Sequence, residues 1–111
     1  MTTTLPVRIT SAAERDLEEI HDYVEMHGSP EIADALLDKL VARIRSLAQF
    51  PNRGSVIPEL GPFKQHFRQV GLRPYRCVYT LIDDVVIVVA ILDGRRDVPA
   101  FLEQRLLLRP D

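Results

Sequence analysis

The fold of this chain is decided by residues 75–97, YRCVYTLIDDVVIVVAILDGRRD. They predict two β-strands, Tyr75 to Ile82 and Val85 to Leu92, joined by a tight turn at two aspartates. The second strand is apolar throughout, and such a strand lies inside a sheet that is covered on both faces. The Gly-Arg-Arg-Asp that follows therefore lies at the rim of a packed sheet. Arginines concentrated there form a surface suited to an anionic or protein partner.

The N-terminal half predicts a pair of helices. Residues 11–14 (SAAE) have the spacing of a capping box, which predicts a helix that begins at Ala12. Residues 28–30 (GSP) end this helix and begin a second one at Pro30. The second helix runs to about Phe50, because the proline that follows forces the preceding residue out of helical conformation. The short connection makes the two helices an antiparallel hairpin.

Shorter patterns complete the order of elements. Leu5 to Ile9 predicts a first strand and Phe67 to Leu72 a second, while residues 51–64, rich in proline and glycine, predict a loop. Asp97 is placed to cap a last helix over residues 98–107. The order predicts a single α+β domain over the whole chain, 1–111. An N-terminal strand, an antiparallel helical hairpin on one face of a mainly antiparallel four-stranded sheet, and a short C-terminal helix compose it.

The charge is unevenly distributed. The net charge is −2, with nine acids against five bases in residues 1–50 and nine bases against seven acids in residues 51–111. Between positions 53 and 76 four arginines and Lys64 face the single acid Glu59. A dedicated nucleic-acid binder is usually basic overall, so the net charge disfavours that class.

The expected cellular compartment and cofactors follow mainly from sequence patterns that the chain lacks. No apolar run reaches the length of a membrane span, and the first residues lack the pattern of a signal peptide, so we expect a cytoplasmic protein without a membrane partner. Cys77 is the only cysteine and is expected to pack as a small hydrophobe. No spacing of residues suggests a metal or a small-molecule cofactor.

The arginines are the one group of residues whose arrangement suggests a functional site. If strands 67–72 and 75–82 are antiparallel neighbours, Arg68 and Arg76 are expected on the same sheet surface, with Arg73 at the connection. Such a cluster binds phosphates through forked hydrogen bonds or pairs with carboxylates of a protein partner. A solvated sheet face with no role is the alternative. Arg95 and Arg96 have their own alternative, since one of them can simply pair with a neighbouring aspartate.

The aromatic and histidine side chains allow two interpretations. Tyr75 and Tyr79 can stack bases or act as acids, but their alternation with Cys77 favours packing in the core. His21 and His27 fit surface or partly packed positions on the first helix. His66 opens a strand next to Arg68 and stays a candidate for a site.

Five segments together resemble the RelE/ParE superfamily of bacterial toxins. They are residues 16–23 (DLEEIHDY), 50–54 (FPNRG), 58–60 (PEL), 75–79 (YRCVY) and 94–97 (GRRD). These toxins are the poison components of type II toxin–antitoxin modules. The resemblance covers about residues 7 to 97 and implies two N-terminal helices packed on an antiparallel sheet.

Two activities occur in this superfamily, and the resemblance assigns residues to one of them. RelE-like members cut messenger RNA on the ribosome, whereas ParE-like members inhibit DNA gyrase. By position, Arg68 and Arg76 match the basic strand residues of the nucleases, and Glu59 lies near an acid that some of them use. Asp93 stands where many members have a histidine. An ionised carboxylate is a poor proton donor to a departing 5′-oxygen, and neighbouring arginines lower its pKa further.

The resemblance therefore implies a ParE-like toxin that inhibits DNA gyrase, and the long helical hairpin favours the same branch. A RelE-like ribosome-dependent messenger endoribonuclease is the alternative, with Arg68, Arg76, Tyr79 and Glu59 as its catalytic residues. A third possibility is an inactive homologue that only binds its antitoxin.

A cognate antitoxin is the expected partner under all three interpretations, and operator DNA is reached only through it. Such partners commonly carry a segment that folds along the toxin, covers apolar grooves and pairs acids with arginines. The residues expected to bind it are Arg68, Arg73, Arg76, Arg95 and Arg96.

Overall fold

The computed structural model describes residues 4–61 and 66–107 of the chain. The elements, in chain order, are β1 (Val7–Ile9), α1 (Ser11–His27), α2 (Pro30–Arg45), a 3-10 turn (Ser46–Ala48), β2 (Ser55–Val56), a second 3-10 turn (Pro58–Leu60), β3 (Arg68–Leu72), β4 (Tyr75–Ile82), β5 (Val85–Asp93) and α3 (Val98–Leu107). Within the described residues, no helix has the length and apolar character needed to cross a bilayer.

The five strands form one mixed sheet in the order β1-β5-β4-β3-β2. β1 runs parallel to β5, and the other neighbours are antiparallel. The predicted α+β class is confirmed, but the sheet has five strands instead of four. The additional strand is β2, which lies inside the predicted loop 51–64 and pairs with β3. Two residues are too short to show the alternation by which a strand is recognised in a sequence.

The turn between β4 and β5 confirms the predicted hairpin. Asp83 and Asp84 have φ of 51° and 62°. Positive φ at both central residues is the geometry of the two-residue turn whose twist matches that of the flanking strands, and aspartate tolerates it better than most residues. The two strands pair from Ile82 and Val85 onward.

The helix boundaries differ from the prediction at two ends. Thr10, and not Ser11, caps α1, because its Oγ1 accepts the Ala13 amide at 3.1 Å; the helix therefore begins at Ser11. The long second helix ends at Arg45, before the predicted Phe50, and tightens into a 3-10 turn. The Ser46 hydroxyl donates to the Arg43 carbonyl at 2.6 Å, a local bond that competes with regular helix.

Two other caps are as predicted. The Ser29 hydroxyl accepts the Ile32 amide at 3.2 Å, and the Asp97 carboxylate accepts the Ala100 amide at 3.1 Å. Both satisfy amides that have no partner within the first turn of a helix. α3 begins at Val98 as expected.

The sheet is covered on both faces, which confirms the interpretation of the apolar β5. The helical hairpin packs on one face over a core that includes Leu17, Leu40 and Ile44. On the other face, α3 and the turn at Pro58–Leu60 cover a second core; its buried members are Ile57, Val78, Val89, Ala90, Leu92, Val98 and Leu102. The residue after β5 and the connection between β3 and β4 lie side by side at one end of the sheet, because the Gly94 amide donates to the Pro74 carbonyl at 2.7 Å.

Candidate functional site

The predicted pairing of Arg68 and Arg76 on one sheet surface is wrong. β3 and β4 pair Arg68 with Tyr79 and Gly71 with Arg76. Residues directly opposite each other share a face, and successive residues alternate, so the two arginines lie on opposite faces. The two-residue connection between Leu72 and Tyr75 fixes this register. That short connection was visible in the sequence and was the signal that the prediction left unused.

Arg68 lies on the face of the sheet that the helical hairpin covers, in a group of hydrogen bonds that holds residues 51–54. Its Nη1 donates to the Gly54 carbonyl at 2.7 Å. The Tyr79 side chain is fully buried; its hydroxyl donates to the Pro51 carbonyl at 2.8 Å and accepts the Gly54 amide at 3.0 Å. A Cβ on Gly54 would lie 2.7 Å from both the Tyr79 hydroxyl and the Gln69 carbonyl, so only glycine fits. The predicted core position of Tyr79 is confirmed.

Arg76 lies on the opposite face and is paired with Glu59. Its Nη1 is 3.0 and 2.9 Å from the two carboxylate oxygens, and 3.3 Å from Gln69 Oε1. The two side chains are 28% and 24% exposed, so the pair is largely covered. It fastens the turn at Pro58–Leu60 to the sheet. A cation compensated in this way is less available to a phosphate or to a partner's carboxylate.

Three arginines lie at one end of the sheet. Arg73 is exposed in the connection between β3 and β4, as predicted, and Arg95 and Arg96 are exposed just beyond β5. Because Tyr75 pairs with Asp93, the two segments lie at the same end of the sheet. We call Arg73, Arg95 and Arg96 the basic rim.

Asp93, the last residue of β5, is paired with one arginine of this rim. Its Oδ2 lies 2.6 Å from Arg95 Nη2, and its Oδ1 accepts the Arg95 amide at 2.9 Å. The alternative in which one rim arginine pairs with a neighbouring aspartate is thus the observed one for Arg95. The side-chain hydrogen bond from Arg95, more than any other contact, lowers the pKa of the Asp93 carboxyl below its ordinary value. At neutral pH this carboxylate is a proton acceptor and not a donor.

A groove of about 430 Å³ opens beside the rim, between α1, the end of β5 and α3. Its apolar and aromatic walls include Ile20, Tyr23, Tyr75, Leu92 and Phe101; its charged members are Asp16, Glu19, Asp93 and Arg96. The Arg96 guanidinium lies 5.6 Å from the centroid of the Phe101 ring. The sequence did not predict this groove, because its walls come from elements far apart in the chain.

An ion pair at the inner end of the groove was also missed. Asp16 is 7% exposed, and its two oxygens pair with Arg105 at 2.7 and 2.9 Å. Asp16 Oδ2 also accepts the Ile91 amide at 3.0 Å, and Arg105 Nη1 donates to the Val89 carbonyl at 3.0 Å. The available signal was the place of Asp16 on the buried stripe of α1. A carboxylate there requires a partner.

The remaining proton-transfer candidates are not gathered at one place. The side chain of His66 is exposed, with its ring 4.4 Å from that of Phe67, and its carbonyl accepts the Thr80 hydroxyl at 3.0 Å. Lys64 lies outside the described residues. Within residues 4–61 and 66–107, Tyr79 and the Glu59–Arg76 pair lie on opposite faces of the sheet, so the predicted nuclease residues do not form one cluster.

Comparison with known proteins supplies a family match and a set of similar folds. Residues 7–98 match the family of ParE toxins of the type II toxin–antitoxin system parDE. No curated protein matches the sequence.

Several solved structures share the fold. A chain of the chromosomal ParDE toxin–antitoxin system of Pseudomonas aeruginosa is 21% identical, with a TM-score of 0.69; the match covers 81% of this chain and 96% of that one. A RelBE toxin–antitoxin complex of Mycobacterium tuberculosis is 21% identical, with a TM-score of 0.61 and coverage of 84% and 94%. A mutant RelE toxin of Escherichia coli in the free state is 18% identical, with a TM-score of 0.57 and coverage of 96% and 100%.

Proposed function

Because the chain belongs to the ParE toxin family of type II toxin–antitoxin systems, we propose that it arrests growth by inhibiting DNA gyrase and is neutralised by a cognate antitoxin. The inhibition is by binding and needs no bond-breaking chemistry of the toxin. Toxins of both the ParDE and the RelBE types share this fold, so the target is argued from the side chains and not from the architecture.

One observation supports gyrase inhibition over message cleavage: the groups that a nuclease would need are engaged in holding the fold. Tyr79 is buried, its hydroxyl binds two backbone groups, and burial raises its pKa further above the ordinary value. Glu59 is paired with Arg76. A general acid has to reach the leaving oxygen and give up a proton near neutral pH, and neither residue is placed to do so.

Antitoxin binding is supported by the basic rim and the adjoining groove. Exposed arginines offer forked donors to carboxylates of a partner, and the aromatic walls beside them offer apolar surface to cover. We assign partner contact first to Arg73 and Arg96, because the Nε and Nη2 groups of Arg95 already donate to Asp93. Arg68 and Arg76, which were expected in the same role, act mainly by holding residues 51–60 on the sheet.

Induction of the chain alone in a bacterial host tests the target. We expect growth arrest with a DNA damage response and loss of plasmid supercoiling, while total messenger RNA remains intact. Arrest with messages cut at mapped positions on ribosomes would instead establish the nuclease alternative. Induction without a growth defect, together with tight antitoxin binding, would leave an inactive homologue.

Two variants test the roles assigned to Glu59 and to the basic rim. Glu59→Gln keeps the shape of the side chain but removes the carboxylate, and we expect the arrest to persist because no proton transfer depends on it. Arg73→Glu reverses a charge in the basic rim and is expected to weaken antitoxin binding about tenfold. Arrest lost in Glu59→Gln with stability retained would contradict a toxin without chemistry. Unchanged antitoxin affinity in Arg73→Glu would place the contact elsewhere.

A further inference from the structure

A second group of cations lies apart from the basic rim, on the C-terminal half of α2 and the loop that follows it. Lys39 and Arg43 are four residues apart, so they lie on the same face of the helix, and Ser46 follows about one turn later. The loop contributes Arg53, whose Nη1 donates to the Ser46 hydroxyl oxygen at 2.9 Å. With Leu72 of β3, these residues line a concave surface of about 480 Å³. We call Lys39, Arg43 and Arg53 the helix patch.

The fold fixes the position of Arg53. Its amide donates to the Phe50 carbonyl at 3.2 Å, and the buried Tyr79 hydroxyl binds the backbone of the loop on both sides of it. The Ser46 hydroxyl, which accepts from Arg53, itself donates to the Arg43 carbonyl. The third cation is thus tied to the end of α2 before any partner arrives, so less conformational entropy is lost on binding.

The helix patch carries no counter-charge within residues 4–61 and 66–107. None of its three side chains forms an ion pair with a carboxylate in this part of the chain. Ala35, one turn before Lys39, offers no acid, and two cations four residues apart repel each other and destabilise a helix. The partial negative charge at the end of α2 compensates Arg43 in the last turn but falls off before Lys39. Stability of the fold therefore does not explain this arrangement.

The chemistry of the patch matches phosphates better than a protein surface. The centre of a protein–protein interface is depleted of charged residues, whereas protein–DNA interfaces are polar and strongly positive. Arginine, lysine and serine side chains are among the groups that contact phosphate oxygens. Lys39 and Arg43 are about 6 Å apart along the helix axis, and the phosphates of one DNA strand recur about every 3.4 Å along the duplex axis. The row of cations can therefore contact more than one phosphate of the same strand.

Such a contact is weak by itself, because three cations on a chain of net charge −2 give only sequence-independent attraction. It becomes effective where another protein already holds DNA beside the chain. The proposed target meets this condition, since gyrase acts on duplex DNA.

We propose that the helix patch binds phosphates of the duplex DNA that gyrase holds, so that the chain contacts the enzyme and its DNA together. The contact reads no base sequence, because phosphates position a protein without specifying a sequence. This inference rests on the proposed function and names a second component of the target.

Binding of the full chain to a short, fluorescently labelled DNA duplex, followed by anisotropy, tests the contact without gyrase. We expect the association constant to fall about 40-fold between 50 and 200 mM salt, as three phosphate contacts predict. Arg43→Ala leaves two contacts, and the fall is then expected to be about 12-fold. Arg45→Ala, in the same last turn of α2 but outside the patch, is the control and is expected to keep the full fall.

The outcomes of this titration do not depend on the proposed function, because gyrase is absent. The same salt dependence in Arg43→Ala and Arg45→Ala would overturn the contact, and so would the absence of binding at the lower salt concentration.

Inhibition of purified gyrase connects the patch to the target. Lys39→Glu, at an exposed position, is expected to keep the urea midpoint of the native chain and to raise the concentration for half-inhibition of supercoiling about tenfold. Arg45→Glu makes the same reversal of sign at the same helix and is expected to stay within about twofold. Equal effects of the two variants would overturn the role of the patch and leave gyrase inhibition standing. No inhibition by the native chain would remove the proposed function and the gyrase part of this inference together.

Discussion

The Tyr79 hydroxyl is the residue-scale contact on which the order of residues 51–54 depends. It satisfies both the Pro51 carbonyl and the Gly54 amide from a fully buried ring. Buried polar groups that lose their partner cost far more than exposed ones. Packing and hydrogen bonding therefore explain Tyr79, which the nuclease alternative makes a catalytic residue.

Tyr79→Phe is expected to lower the free energy of unfolding by about 2 kcal/mol, because it leaves two backbone groups without a partner and fills the same space. Tyr75→Phe is the control, since the Tyr75 ring is only half-buried; its cost is expected to stay below about 0.5 kcal/mol. Urea denaturation of both variants measures the difference. Equal midpoints would show that the hydroxyl does not hold the loop.

His21 gives a second residue-scale prediction, in the helical hairpin. Its Nε2 lies 2.7 Å from Asp34 Oδ1, and this hydrogen bond, more than any other contact, raises the pKa of His21 above its ordinary value of 6.5. The folded form thus holds the proton more tightly than the unfolded chain. The stabilisation is fully present below about pH 6.5 and is lost as the pH rises through the folded pKa.

A titration followed by NMR checks this contact. We expect Asp34→Asn to lower the pKa of His21, while Asp38→Asn, an exposed acid on the same helix, leaves it nearly unchanged. When the pH is raised from 6 to 8, the urea midpoint of the native chain is expected to decrease by more than the midpoint of His21→Gln. A His21 pKa that does not respond to Asp34→Asn would contradict the hydrogen bond.

Local chemistry made some residue-scale features predictable. Ser29, Asp97 and the two aspartates of the β4–β5 turn act within three or four residues of their own position, so their roles can be deduced from the adjacent sequence. The partners of Tyr79 lie 25 and 28 residues away, and those of Asp16 lie 75 and 89 residues away. No sequence spacing specifies contacts at such separations.

At the scale of elements, the Asp16–Arg105 pair joins the two layers that cover the sheet. It connects α1 on one face with α3 on the other at the point where β1 ends, and it satisfies two backbone groups of β5. The packing of α3 therefore depends on a charged pair as well as on the apolar contacts of Val98 and Leu102.

Asp16→Asn is expected to cost about 3 kcal/mol of folding free energy, because it leaves the largely buried Arg105 guanidinium without its counter-charge. Glu18→Gln, an exposed position on the same helix, is expected to change stability by less than about 0.5 kcal/mol. Urea denaturation followed by circular dichroism measures both. A cost at Asp16 no larger than at Glu18 would show that the pair does not hold α3.

The elements themselves were largely predictable, and their pairing was less so. β4, β5 and α3 were predicted within a residue, because apolar runs and caps mark them. The register of β3 on β4 depends on a two-residue connection, and only this register shows that Arg68 and Arg76 lie on opposite faces. β2 exists only because residues 55–56 lie beside β3 in the folded chain.

At the scale of the whole molecule, acidic and basic side chains are concentrated in two different regions of the surface. The exposed face of α1 is acidic, with Glu14, Glu18, Asp22 and Glu25, whereas the basic rim lies where β5 ends. The family was recognisable from five short segments, and the α+β class from the order of predicted helices and strands, but the groove was not predictable from either.

Supercoiling of relaxed plasmid by purified DNA gyrase, in the presence of increasing amounts of the purified chain, tests the central claim most directly. We predict that supercoiling is lost at saturating chain and restored by an equimolar amount of the antitoxin, with the preformed complex as the inactive control. Normal supercoiling at saturating chain, with the chain folded and able to bind its antitoxin, would contradict the account.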